Sequence, residues 1–88
     1  PWLPGAKEYA EAGAFPGGMD NNTRHFSQWV AFGDEVAYRK QDMLFTPETS
    51  GGLLIAMAPG SLEKFQELIP DSAVVGSVSG GHGIVRVD

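Results

Sequence analysis

Short apolar stretches alternate along this chain with clusters of glycine, proline and polar residues, and their spacing predicts a succession of short elements. Pro4-Gly5-Ala6-Lys7-Glu8-Tyr9-Ala10-Glu11-Ala12-Gly13 predicts a helix. Pro4 suits a first-turn position, alanine and glutamate favour the interior, and Gly13 supplies a left-handed stop. Phe15-Pro16-Gly17-Gly18-Met19-Asp20-Asn21-Asn22 is dense in turn formers and reads as loop. Phe26, Trp29, Val30 and Phe32 have mixed periodicity, which predicts a helical turn followed by a short strand around Trp29 to Phe32. From Glu35 to Phe45 the apolar positions favour a helix.

The second half carries the clearer signals. Leu53-Leu54-Ile55-Ala56-Met57-Ala58 is an unbroken apolar run boxed in by Gly51-Gly52 and Pro59-Gly60. Six residues are too few for a useful helix and suit a buried strand. Ser61 then caps an amphipathic helix with Leu62, Phe65, Leu68 and Ile69 on one face and Pro70 as its stop. Ala73 to Ser79 and Ile84 to Val87 read as two strands joined through Gly80-Gly81-His82-Gly83, a hairpin signal. The expected class is α+β, with short helices on a small mixed sheet and a strand-helix-strand-strand order from Leu53 onward.

Composition narrows the class of function. Eighty-eight residues make one domain with a modest core. There is no cysteine, so neither a disulfide nor a thiolate nucleophile is available. The formal charge is −5, and among the six Lys and Arg residues only Arg39 and Lys40 are adjacent. No basic stripe exists to displace the counterions of a nucleic acid, so a DNA or RNA partner is not expected. The run Leu53 to Ala58 is far too short to span a bilayer. The chain opens on Pro1-Trp2, without an initiator methionine or a signal-peptide pattern, which suggests a piece of a longer polypeptide. An acidic, cysteine-free chain fits the cytoplasm.

Candidate chemistry is sparse. His25 and His82 lie far apart with no ligand motif, so both read as surface loop histidines and no metal site is expected. Glu8/Glu11, Asp34/Glu35 and Glu63/Glu67 read as solvated faces rather than an acid–base pair. Asn21-Asn22-Thr23 matches a glycosylation acceptor, a triplet common by chance. Neither GxxxxGK[ST] nor GxGxxG is present. Thr49-Ser50-Gly51-Gly52 has two readings. It is a turn feeding a closely packed strand, or an anion-binding nest of backbone amides helped by two hydroxyls. Asn22 divides in the same way, between turn formation and ligand contact.

Taken in order, three segments resemble one family. Leu3-Pro4-Gly5-Ala6 opens a helix, Pro16-Gly17-Gly18 is followed four residues on by Asn22, and Leu44-Phe45-Thr46-Pro47-Glu48-Thr49-Ser50-Gly51-Gly52-Leu53-Leu54-Ile55-Ala56 is similar to the DPQTSGGLL motif of selenophosphate synthetase (selenide, water dikinase). The tail at Val74-Val75-Gly76-Ser77-Val78 also fits. Thr46, Glu48 and Met19 depart from the residues usual in that family. The resemblance covers essentially the whole chain and implies the C-terminal part of the domain shared with aminoimidazole ribonucleotide synthetase. It implies a parent reaction in which ATP, selenide and water give selenophosphate, AMP and phosphate, with magnesium on the phosphates. The family's catalytic cysteine or selenocysteine, its lysine and its metal-binding aspartates lie in N-terminal regions. The resemblance therefore implies a catalytically incomplete chain with no cofactor of its own. Thr49, Ser50, Gly51, Gly52 and Asn22 become the candidates for phosphate or substrate contact. The implied partners are the remainder of the enzyme, itself a homodimer, and, for the isolated chain, other copies of itself. Another ATP-using member of the superfamily, of hydrogenase-maturation or thiamine-phosphate kinase type, is the alternative, and a non-catalytic binding or dimerisation module is the third reading.

Overall fold

A computed structural model describes all 88 residues as a small mixed α/β protein with four helices and a two-stranded parallel sheet. The helices are α1 (Ala6–Glu11), α2 (Gly18–Phe26), α3 (Tyr38–Leu44) and α4 (Leu62–Leu68), and the strands are β1 (Val30–Phe32) and β2 (Val85–Val87). The chain divides into a larger unit, Trp2–Thr49 with Gly81–Asp88, and a smaller one, Ser50–Gly80 with Pro1.

The larger unit holds the core. Helix α1 ends as its sequence predicts. Gly13 has φ 74°, its N–H bonds the Ala10 carbonyl at 2.9 Å, and the Ala14 N–H bonds the Tyr9 carbonyl at 2.9 Å. That is the double closure of a Schellman stop, which satisfies carbonyls the helix itself cannot. Ala10, Val36 and Phe45 are buried, and Phe45 meets the Phe32 ring edge-on at 5.8 Å between centroids. Val30 pairs with Val85, Ala31 with Arg86 and Phe32 with Val87, and the ladder is extended by the Gly33 N–H donating to the Val87 carbonyl at 2.8 Å. The helical turn and strand expected at Trp29 to Phe32 are found as a single 3₁₀ turn, Ser27–Trp29, running into β1. The helix expected over Glu35 to Phe45 begins only at Tyr38, after a Gly33–Val36 turn.

One expectation in this unit is overturned. Residues 15–22 are not all loop, because α2 starts at Gly18 and carries Asp20, Asn21 and Asn22. Asp20 lies in the first turn, where the positive end of the helix favours it, and the Thr23 hydroxyl donates to the Met19 carbonyl at 3.0 Å. Residues that make turns also start helices, and here the second use prevails.

In the smaller unit α4 forms between its expected bounds, opened by a 3₁₀ turn at Pro59–Ser61, although Ser61 makes no side-chain capping bond. Leu62 and Phe65 are half-buried, whereas Leu68 and Ile69 are exposed. The strands expected at Leu53–Ala58 and Ala73–Ser79 do not form, and neither segment has a ladder. An isolated apolar run has strand propensity but no backbone partner, and a strand exists only through its pairing. Leu53 is 91% exposed, Leu54 86% and Val78 88%. The expected hairpin is also absent: β2 pairs instead with β1, in parallel. A run of glycines marks a bend without fixing which strand the tail will join.

Candidate functional site

The segment with chemical potential leaves the C-terminal end of α3. Phe45 caps that helix, and its carbonyl is one of those with no intrahelical partner. Asn22, half-buried in the middle of α2, donates its side-chain amide to that carbonyl at 2.9 Å. The Thr46 hydroxyl lies 2.7 Å from the Met43 carbonyl and 2.9 Å from the Glu48 carboxylate, two acceptors for its single proton. Pro47 packs on Gly18 so closely that a Cβ at Gly18 would sit 2.9 Å from the proline Cγ.

Beyond this stem, Thr49 and Ser50 form a turn, and Thr49, Ser50, Gly51 and Gly52 are all exposed. The Thr49 and Ser50 hydroxyls take no part in the side-chain hydrogen bonds of the chain. A Cβ at Gly52 would meet nothing within 4 Å. Gly5, Gly13 and Gly83 are the glycines with left-handed φ; Gly51 and Gly52 are not among them. No helix follows Gly52 before the turn at Pro59. The loop thus offers exposed amides and hydroxyls without the alternating backbone of a preformed nest.

Asn22 is brought to the stem rather than to the four loop residues, and it belongs to a helix rather than to the turn its sequence suggested. His25, expected on a loop, is an exposed residue of α2 packed edge-on against Phe26 at 4.7 Å and Trp29 at 5.6 Å. His82 is exposed in the 80–83 bend, and the three carboxylate pairs are exposed as expected. Nowhere do three His, Cys, Asp or Glu side chains gather as a metal site would require. Asp42, which the sequence did not single out, is buried beside the Arg39 guanidinium at 3.4 Å, and that guanidinium also lies over the Phe15 ring at 5.9 Å. An open groove of about 340 Å³ in the larger unit is lined by Asn22, Phe26, Trp29, Val30, Leu44, Phe45 and Val85. The contact of Gly18 with Pro47 has no signal in the sequence, where Gly18 is one of several turn-forming residues in a row.

No family model matches the chain, and no solved structure matches it. Curated proteins do. A selenide, water dikinase of Pelobacter propionicus is 45% identical over 83 residues, covering 89% of this chain and 24% of the relative. That of Carboxydothermus hydrogenoformans is 35% identical over 94 residues, covering 99% of the chain and 26% of the relative. That of Clostridium botulinum strain Eklund 17B is 34% identical over 82 residues, covering 89% and 24%. The chain spans about a quarter of the length of each of these relatives. Nearly all of this sequence is therefore similar to a part of selenide, water dikinases, and the chain belongs to that family as the counterpart of about a quarter of its members' length.

Proposed function

We propose that this chain serves as the C-terminal part of a selenide, water dikinase and is catalytically incomplete alone. The observation that carries this reading is the match to those enzymes over 89–99% of a chain that spans only about a quarter of them and contains no cysteine. In the parent reaction ATP, selenide and water give selenophosphate, AMP and phosphate. Phosphoryl transfer depends mainly on positioning and on stabilising charge. The exposed amides and hydroxyls of Thr49, Ser50, Gly51 and Gly52 are donors of the kind that phosphate oxygens accept.

Magnesium takes oxygen ligands, usually one or two carboxylates together with waters and substrate phosphates. No three acidic or histidine side chains gather here, and no step through the metal is assigned to this chain. The reading includes the fold shared with aminoimidazole ribonucleotide synthetase, a cytoplasmic setting and a dimeric parent. It also assigns the cover over Leu53, Leu54, Val75 and Val78 to the remainder of the enzyme. No helix here is long and apolar enough to cross a membrane.

Incubating the chain with ATP, magnesium and selenide should yield no AMP; substantial turnover would overturn the incompleteness. In the intact enzyme, Gly51→Val should lower activity. Unchanged kinetics with an unchanged melting temperature would remove the loop from the phosphate-contact reading.

A further inference from the structure

We propose that α2 is the positioning element of the loop, with Gly18 and Asn22 holding the stem Phe45–Glu48 in a single conformation. This inference rests on the phosphate-contact reading above. Gly18 and Asn22 are four residues apart, so they occupy one face of the helix, one above the other. Both meet the stem. At Gly18 the proline ring lies where a side chain would be, with Cγ 2.9 Å, Cδ 3.6 Å and Cβ 3.7 Å from an ideal Cβ. The contact is with a ring rather than the free end of a flexible chain, so a methyl group there must displace Pro47 or α2. At Asn22 the bond is directional: the side-chain amide donates to the carbonyl that α3 leaves unpaired, 23 residues further on in sequence.

These two contacts act on adjacent parts of the stem and by different physics. Packing fixes how near Pro47 comes to α2, and the hydrogen bond fixes the orientation of the Phe45 peptide. Thr46, bonded back to Met43, closes the end of α3 from its own side. With Phe45 itself buried, the chain leaves α3 through Thr46 and Pro47 with little freedom left. The segment Pro16-Gly17-Gly18 with Asn22 and the start of the second family segment, Phe45 to Pro47, are therefore parts of one contact. The earlier segment is assigned the task of presenting the later one. Asn22 is accordingly a positioning residue, not a catalytic one.

Hydrogen–deuterium exchange on the full chain at low micromolar concentration tests this, with inorganic triphosphate and magnesium as the probe. Asn22→Asp keeps the shape but removes the donor, and Gly18→Ala adds only a methyl group. Each should raise exchange at the Phe45 and Thr46 amides, which bond the Asp42 and Met43 carbonyls, about 3- to 10-fold more than it raises exchange in β1 and β2, the value of one lost hydrogen bond. Asn22→Gln, which restores a donor, should recover part of the loss. In the wild-type chain triphosphate should protect the Thr49–Gly52 amides, and both variants should weaken that protection by a similar factor. Unchanged exchange at the stem in both variants would overturn the assignment, as would a rise spread equally over β1 and β2. Should Asn22→Asp prevent folding, Gly18→Ala decides alone. A selective rise at the stem without triphosphate protection in the wild type would support the positioning role and refute phosphate contact, so the two claims fail separately.

Discussion

Leu53 and Leu54 carry the sharpest prediction, because they are 91% and 86% exposed in a segment whose composition suits a protein interior. A continuous apolar run is the pattern of a strand covered on both faces. Burying a leucine side chain is worth about 1.5–3 kcal/mol. Any association that covers both would gain about 3–6 kcal/mol from these two residues, or about two to four orders of magnitude in the association constant. The isolated chain should therefore self-associate at tens of micromolar, and Leu53→Lys with Leu54→Lys should raise its dissociation constant at least about a hundredfold. Sedimentation velocity and light scattering over a dilution series read this directly. Glu8→Lys is the control, since it makes the same two-unit change in charge at an exposed site on α1. A wild-type chain that stays monomeric at high concentration would refute the reasoning. So would a double variant that associates as strongly as the wild type.

Three further substitutions probe the larger unit by thermal or chemical denaturation. Gly18→Ala should lower stability by about 1–2 kcal/mol, because overpacking against Pro47 outweighs the gain of up to about 1 kcal/mol in helix propensity. Gly17→Ala meets open space and should change stability far less; equal effects would show that the Pro47 contact is not the cause. Phe45→Ala removes a buried ring and its edge contact with Phe32, a loss of about 3–5 kcal/mol. That is a large share of what three buried apolar side chains can supply, so the cooperative transition should disappear. A retained sharp melt would mean that the core lies elsewhere.

What the sequence made legible, and what it did not, follows from the range of the interactions involved. Gly13 could be read as a helix stop because its φ and its two closing bonds are settled within six residues. The 3₁₀ turn and β1 were legible for the same reason, as was α4. The strand at Leu53–Ala58 was not, because propensity describes what a segment favours and pairing depends on a second segment being present. The tail shows the converse. Val85–Val87 is a strand as expected, but it pairs in parallel with Val30–Phe32 rather than back across a hairpin, and no local pattern distinguishes the two.

At the candidate site the same division separates the parts. Thr49-Ser50-Gly51-Gly52 stood out from its residue types, yet nothing in the sequence could show that its glycines lack left-handed φ or that its hydroxyls face no protein partner. Asn22 stood out only as an ambiguous residue in a turn-like cluster. Its meaning comes from the Phe45 carbonyl, 23 residues away, to which its amide donates at 2.9 Å. Gly18 was read as punctuation, and the space it leaves is filled by Pro47. The two motifs that marked the family from sequence are thus joined by contacts that neither motif reveals alone. In the positioning role proposed for α2, the second depends on the first for the shape of the stem from which it emerges.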